Sequence, residues 1–225
     1  MVARPVTIES TAGTVGGLLL RPPDASLLLV LAHGAGAGMR HPFLEGLARA
    51  LAERGVATLR YQFLYMERGG RRPDSPAVAQ AAVRAAVGAA RAAAPDLPVV
   101  AGGKSYGGRM TSEAAARGGF DDVRGLAFIG FPLHAAGRPA DGRAAHLDRV
   151  TLPQLFVQGT RDALADFQLM RQVCDRLGAR ATLHVVQDAD HSFRVPKRTG
   201  RSEADVLGEI AAAVALWGAP GGTIR

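Results

Sequence analysis

The chain has 225 residues, of which 48% are hydrophobic and 21% charged; this balance excludes a disordered chain and predicts one globular domain over residues 1–225. Its net charge is +7, but the arginines are scattered and no aromatic residues are interleaved with them, so we predict no nucleic-acid partner. No apolar run approaches the ~20 residues of a membrane span and residues 1–5 lack the apolar core of a signal peptide, so we predict a cytoplasmic protein with no membrane partner.

Short apolar runs alternate with longer helix-like segments along the chain. The predicted strands, in chain order, span residues 6–9, 15–20, 27–32, 56–61, 97–101, 126–129, 155–158 and 182–186. The predicted helices span residues 42–54, 77–94, 109–116, 163–177 and 203–216. This alternation predicts an α/β fold, with a mostly parallel twisted sheet of about seven or eight strands and helices on both faces. Two irregular stretches, 63–76 and 132–151, are long enough to overhang the strand ends as active-site loops.

The segment from Gly103 to Gly107 carries the strongest chemical signal. It reads Gly-Lys-Ser-Tyr-Gly and lies between a predicted strand and a predicted helix. Gly-x-Ser-x-Gly in that position is typical of the nucleophile elbow of serine hydrolases, whose sharp turn holds the serine in a strained backbone conformation. The two glycines relieve the crowding of the turn. We therefore expect Ser105 above the sheet, at a helix N-terminus that favours negative charge.

Two other interpretations compete for this segment. Gly-Lys-Ser also ends the phosphate-binding P-loop, but that motif needs a glycine at position 98, which is Pro98. An ordinary glycine-rich turn with Ser105 as helix N-cap is a second alternative. The remaining parts of a hydrolytic site decide between them.

A serine nucleophile needs a base, and the base needs an orienting acid. In the hydrolase fold these follow in the order Ser, acid, His, each in a loop after a strand. Asp162 follows the predicted strand 155–158, and His191 follows the predicted strand 182–186. We therefore predict Ser105, Asp162 and His191 as nucleophile, acid and base.

Simpler interpretations exist for the acid and the base. Asp162 is also a favourable N-cap for the helix predicted from residue 163, with Asp166 as the alternative acid. His191 is also compatible with an ordinary loop histidine. The other histidines considered as the base are better explained as helix-start, loop or strand residues: His41, His134, His146 and His184.

Small residues follow the strand that ends at Ala32, in the segment His33 to Met39. A tetrahedral intermediate needs preorganised N–H donors for its oxyanion, and small residues let the backbone approach the substrate. We predict the backbone N–H of Tyr106 and that of Ala35 or Gly36 as this pair. A dinucleotide-binding Gly-x-Gly-x-x-Gly loop is disfavoured, because its third glycine falls on Met39.

Taken together, these residues resemble the α/β-hydrolase superfamily over nearly the whole chain. The pattern is similar to compact, lidless members related to dienelactone hydrolase, although Ser105 stands where those enzymes carry a cysteine nucleophile. Three stretches are similar to the testis-expressed-protein-30-like family, whose eukaryotic relatives include a subunit of a histone acetyltransferase complex. They are residues 33–39, residues 65–67 with 71–73, and residues 102–110. The resemblance implies an α/β-hydrolase fold with little or no cap domain, and leaves the substrate open.

The predicted activity is hydrolysis of a carboxylic ester or thioester without a metal or organic cofactor. A non-catalytic interaction module with the same fold is the alternative. The predicted partner is a small-molecule ester or thioester, and the protein is expected as a monomer or homodimer. The lone Cys174 has no metal-ligand spacing.

The substrate pocket is predicted from position alone, because ligands bind outside the carboxyl ends of strands in open α/β sheets. The predicted lining and rim residues are Met39, Phe63, Leu64, Tyr65, Phe193 and Tyr106. An apolar lining suits an acyl chain or aromatic ester. Arg68, Arg71 and Arg72 lie on the same loop and are the alternative basis for specificity, toward acidic substrates.

Overall fold

The computed structural model describes residues 1–219, and its centre is one eight-stranded sheet. The strands are β1 (Arg4–Ser10), β2 (Gly13–Leu20), β3 (Leu27–Ala32), β4 (Val56–Tyr61), β5 (Val99–Lys104), β6 (Val123–Ile129), β7 (Gln154–Gly159) and β8 (Ala181–Val186). Their order across the sheet is β1-β2-β4-β3-β5-β6-β7-β8. Within the described residues β2 runs opposite to the other seven strands, so the predicted mostly parallel sheet is confirmed.

Helices cover both faces of this sheet. They are α1 (Pro42–Ala52), α2 (Leu64–Glu67), α3 (Pro76–Ala93), α4 (Tyr106–Ala115), α5 (Phe167–Leu177) and α6 (Glu203–Gly218), with short 3₁₀ helices at Gly142–Arg149, Gly178–Arg180 and Lys197–Thr199. Helices α1 and α6 pack on one face, and α3, α4 and α5 on the other. In β3, Leu28 and Val30 face the second layer while Leu27, Leu29 and Leu31 face the first. A strand buried on both faces explains the continuous apolar run.

Helix α5 begins later than the sequence predicted. Residue 163 was the predicted start, but α5 starts at Phe167, and the Asp166 side chain accepts the Leu169 N–H as its N-cap. The preceding loop bonds to His134 instead: the Nε2 of His134 accepts the Asp166 N–H at 2.7 Å, and its backbone N–H donates to the Leu164 carbonyl at 3.0 Å. These tertiary hydrogen bonds satisfy backbone groups that a longer helix would have used.

The topology brings the loops that carry the predicted catalytic residues to one edge of the sheet. Strands β3, β5, β7 and β8 are parallel, so the segments after Ala32, Lys104, Gly159 and Val186 emerge together at their carboxyl ends. Within residues 1–219, no helix combines the length and apolarity needed to cross a bilayer.

Candidate active site

The turn between β5 and α4 presents Ser105 in a strained conformation. Its φ is 51° and its ψ −115°, a region that residues with a side chain rarely occupy. A Cβ at Gly103 would lie 2.6 Å from the Ala32 carbonyl oxygen, and one at Gly107 would lie 2.6 Å from the carbonyl oxygen of His33. Glycine is therefore required on both sides, because the elbow packs directly against the end of β3.

Ser105, His191 and Asp162 form one hydrogen-bonded chain. The Nε2 atom of His191 lies 2.9 Å from the Oγ of Ser105, and its Nδ1 lies 2.8 Å from the Oδ2 of Asp162. An ionised carboxylate only accepts hydrogen bonds, so Nδ1 carries the ring proton in the neutral tautomer. The lone pair of Nε2 then faces the serine hydroxyl. The arrangement can move a proton from Ser105 to His191 while the carboxylate faces the developing imidazolium.

The carboxylate of Asp162 is buried and fully engaged. Its side chain is 1% exposed. Besides His191, its Oδ2 accepts the Nε2–H of Gln158 at 2.6 Å, and its Oδ1 accepts the Leu164 N–H at 2.8 Å. These donors hold the carboxylate in place and compensate its burial.

Two further aspartates on these loops, Asp166 and Asp190, have local roles. Asp166 caps α5. Asp190 accepts the N–H groups of Ser192 and Arg194 at 2.8 and 2.9 Å, which shapes the turn that carries His191. Of the two acids considered from the sequence, the structure therefore brings Asp162 to His191 and uses Asp166 as the helix cap.

The loop after β3 is a tight turn beside Ser105. The Ala37 N–H donates to the Gly34 carbonyl at 3.1 Å, and Gly36 has a φ of +72°, which glycine adopts without strain. The Gly36 N–H donates to the Tyr65 hydroxyl at 2.8 Å, so it is already engaged. Tyr106 begins α4, whose first-turn N–H groups have no acceptor within the helix.

His33 fixes the orientation of this loop through hydrogen bonds, a role that the sequence analysis did not predict for it. Its Nε2 accepts the Phe63 N–H at 3.1 Å, so its proton lies on Nδ1 and donates to the Gly34 carbonyl at 2.7 Å. Burial lowers its pKa to about 4, so the ring is neutral. Because the peptide is trans, the N–H of Ala35 points opposite to the Gly34 carbonyl, away from His33. The sequence signal that could have indicated this role is the position of His33 directly after a buried strand.

A cavity of about 360 Å³ opens at Ser105 and His191. Its apolar wall comes from Phe43, Leu44 and Leu164, and Lys104 and His41 add polar groups. The backbone of the turn at residues 34–37 forms another side. The wall is therefore built by α1 and by the loop that follows Asp162.

The predicted pocket residues on the loop after β4 lie outside the wall of this cavity. Phe63 is fully buried, with its ring 4.9 Å from that of His33. Leu64 packs toward Gly13 at the first hairpin. Tyr65 is buried, and its hydroxyl accepts the Gly36 N–H of the turn after β3. The chain turns into α2 after β4, which directs these side chains into the core and leaves Arg68 exposed beyond it.

The remaining predicted pocket residues also lie outside the cavity wall. Met39 points toward Gly16 of β2, and its backbone is tied to Gln62 and Arg60. Tyr106 packs its ring against the core, with its hydroxyl buried. Phe193 is buried behind the wall, where its ring stacks on Phe43 at 5.7 Å. Phe193 thus supports the pocket through Phe43, a residue that the sequence analysis missed.

Within residues 1–219 there is no group of three or more His, Cys, Asp or Glu side chains arranged to hold a metal ion. The basic residues Arg71 and Arg72 are exposed and are absent from the cavity wall. The cavity wall therefore consists mainly of apolar and small residues together with the Ser105–His191 pair.

Comparison with known proteins agrees with this architecture. Residues 25–219 match the family described as alpha/beta hydrolase domain. Among solved structures, a serine hydrolase without a lid from Xanthomonas campestris is similar with a TM-score of 0.74 and 23% identity, covering 96% of this chain and 95% of that one. The predicted hydrolase fold without a lid is thereby confirmed.

Two further structures share the fold. A dienelactone hydrolase from Anabaena variabilis matches with a TM-score of 0.74 and 20% identity, over 96% of this chain and 95% of its own. A cold-adapted esterase from an Arctic intertidal metagenomic library matches with a TM-score of 0.64 and 19% identity, over 95% and 92% of the two chains. At these identities the likeness establishes the fold.

Proposed function

The chain belongs to the alpha/beta hydrolase domain family, and we propose that it is a serine hydrolase that cleaves a carboxylic ester or thioester. The observation that carries the proposal is the continuous hydrogen-bonded chain from Ser105 through His191 to Asp162, with lengths of 2.9 and 2.8 Å. The serine at its end opens onto a cavity. Structural neighbours described as serine hydrolases and esterases support the same reaction class.

In the proposed mechanism, Ser105 attacks the substrate carbonyl carbon while His191 accepts its proton at Nε2. The protonated imidazole then donates that proton to the leaving oxygen or sulfur, which departs and leaves an acyl-enzyme. Water then attacks the acyl carbonyl carbon while one of its protons passes to His191. The bond to the Ser105 oxygen breaks, His191 returns the proton to that oxygen, and the acid is released. Asp162 holds the tautomer and stabilises the imidazolium through its 2.8 Å contact with Nδ1.

For the oxyanion we propose the N–H groups of Tyr106 and Ala35. Tyr106 supplies a first-turn N–H of α4, and the helix dipole favours negative charge there. Of the two predicted partners, Ala35 is favoured, because the Gly36 N–H is engaged by Tyr65. The Gly34 carbonyl supports the same choice. It is hydrogen-bonded to Nδ1 of His33, and this bond also orients the Ala35 N–H, which belongs to the same peptide group.

The apolar wall at Phe43, Leu44 and Leu164 favours a neutral acyl or alcohol group that fits about 360 Å³. No metal or organic cofactor takes part in the proposed reaction. The narrower resemblance to the testis-expressed-protein-30-like family, the cytoplasmic location and the monomeric or homodimeric state stay predictions.

The decisive experiment is labelling with a fluorophosphonate probe, followed by peptide mapping. We expect the label on Ser105 and no label after Ser105→Ala or His191→Ala, because the serine needs its base. Absence of labelling in the folded wild-type protein would favour the alternative, a non-catalytic interaction module. A panel of neutral and carboxylate-bearing esters and thioesters of matched length then defines the substrate class, with neutral apolar compounds expected to react fastest.

A further inference from the structure

Lys104, the residue between Gly103 and the proposed nucleophile, passes close to the imidazole of His191. Its Nζ donates to the His191 carbonyl at 2.7 Å and lies 3.5 Å from Nε2 of the same residue. The ammonium also lies 5.5 Å from the centroid of the Phe193 ring. One side chain therefore contacts both the backbone and the ring of the proposed base, although the two residues are 87 positions apart.

The ammonium lies between the cavity wall and the backbone that follows β6. A Cβ at Gly130 would lie 3.1 Å from Nζ, so the glycine lets the ammonium lie close to this backbone. Burial lowers the pKa of Lys104 to about 8, and the charges of Asp162 and Asp190 oppose that shift. At neutral pH the side chain is therefore mostly a cation.

The groups that face Lys104 come from each loop packed against it. Asp162 comes from the β7–α5 loop, and Asp190 and His191 come from the β8–α6 loop. His41 shares the same cavity from the start of α1. Asp162 is hydrogen-bonded to His191, and Asp190 accepts an N–H group of its own turn. The ionisable ring in contact with the ammonium is that of His191, whose Nε2 lies 3.5 Å away.

We propose that Lys104 is a positioning residue that keeps His191 unprotonated in the resting enzyme. Its hydrogen bond holds the loop of the base, and its positive charge close to Nε2 disfavours a second cation on the imidazole. The Nε2 lone pair then stays free for the proton of Ser105, even in mildly acidic solution. This inference rests on the proposed hydrolase function.

The test compares two variants with a matched control. Lys104→Gln removes the charge but keeps a donor for the His191 carbonyl, whereas Lys104→Met removes both. Lys197, the only other lysine in the sequence, is exposed on a 3₁₀ helix, so Lys197→Met removes an equal charge elsewhere. The readouts are the rate of fluorophosphonate labelling and the ester kcat/KM, each measured across pH 4–9.

We expect the acid limb of both profiles to shift to higher pH by about one unit or more in Lys104→Gln and Lys104→Met. The reason is that both variants remove a cation 3.5 Å from Nε2, which disfavours protonation of the ring. Lys197→Met should follow the wild type. Unmoved profiles in both Lys104 variants, or a shift confined to Lys104→Met, would overturn the proposal, because the charge would then have no effect on the base.

A wild-type measurement keeps the test independent of variant folding and of activity. NMR titration of the His191 ring signals, with lysine-selective labelling that resolves Lys104 from Lys197, should show a second inflection of His191 when Lys104 loses its proton. A single inflection overturns the proposal. If the wild type is folded but never labelled, the hydrolase function fails, while this titration still decides whether Lys104 acts on His191.

Discussion

Helix α4 carries two serine–histidine pairs that differ in surroundings rather than in distance. At its N-terminus Ser105 lies 2.9 Å from the Nε2 of His191, and two turns later Ser112 lies 2.7 Å from the Nε2 of His146. Ser105 is held at positive φ and opens on a cavity, whereas Ser112 is completely buried. The two serines therefore share a histidine at hydrogen-bond distance, and contact with the cavity distinguishes Ser105 from Ser112.

The second difference lies behind each histidine. Asp162 accepts the Nδ1–H of His191 and is positioned to stabilise its cation. The pKa of His146 is lowered to about 4 by burial and by the charges of Arg149 and Arg109, which disfavour protonation of the ring. These surroundings favour proton exchange in the first pair, as the proposed mechanism requires. The second pair joins the 3₁₀ helix Gly142–Arg149 to α4 with the His146 ring neutral.

The strongest test of this comparison is truncation of each serine. Ser105→Ala should lower kcat for an activated short-chain ester by roughly 10⁶-fold, as in other Ser-His-Asp sites. Ser112→Ala should leave kcat of the folded protein unchanged and lower its stability by about 1–3 kcal/mol, because the buried His146 nitrogen loses its partner. Steady-state kinetics and urea unfolding measure the two effects. A large loss of kcat in Ser112→Ala would contradict the separation of the pairs.

The next largest effect isolates the carboxylate that distinguishes the first pair. Asp162→Asn should lower kcat by about 10⁴-fold, because an amide favours the wrong imidazole tautomer. Asp166→Asn is the matched control, since asparagine caps a helix as well as aspartate does and activity should persist. Equal losses of kcat in the two variants would remove Asp162 as the orienting acid.

A smaller effect is expected in the turn that faces Ser105. Tyr65→Phe removes the acceptor of the Gly36 N–H, and the turn that presents Ala35 loses a fixed contact. We expect kcat to fall by about tenfold, equivalent to one lost hydrogen bond, with KM little changed. A wild-type kcat in this variant would show that His33 alone suffices to orient the turn.

The smallest effect concerns stability against pH. The pKa of His146 is lowered to about 4 in the folded protein, while a histidine in the unfolded chain titrates at its ordinary value near 6.5. The unfolded chain therefore binds an additional proton between these limits, and stability is lost as pH falls through that window. His146→Gln should reduce proton uptake on unfolding by up to about one proton. Urea midpoints from pH 4 to 7 provide the measurement, and identical slopes would refute the neutral ring. His33 contributes equally to both proteins.

Much of the fold could be predicted from the sequence, because the residue patterns that indicate strands and turns are local. Continuous apolar runs identified the strands of the parallel sheet, and turn chemistry identified the elbow at Ser105. The order of Ser105, Asp162 and His191, each in a loop after a strand, predicted the side chains that the structure brings together. The acid was ambiguous in sequence, because Asp162 could also cap the helix predicted from residue 163 and Asp166 was the alternative acid. Only the start of α5 at Phe167 assigned the cap to Asp166.

The sequence by itself determined the sheet, the elbow and the residues that meet at Ser105, because hydrophobic periodicity and glycine requirements act over a few residues. Only the tertiary structure decided the cavity wall and the partners of Tyr65 and Lys104. The hydrogen bond from Gly36 to Tyr65 spans 29 positions, and that from Lys104 to the His191 carbonyl spans 87. Such contacts depend on how α2 and the strand-end loops pack, and a local pattern of residue types does not encode which way a loop side chain points.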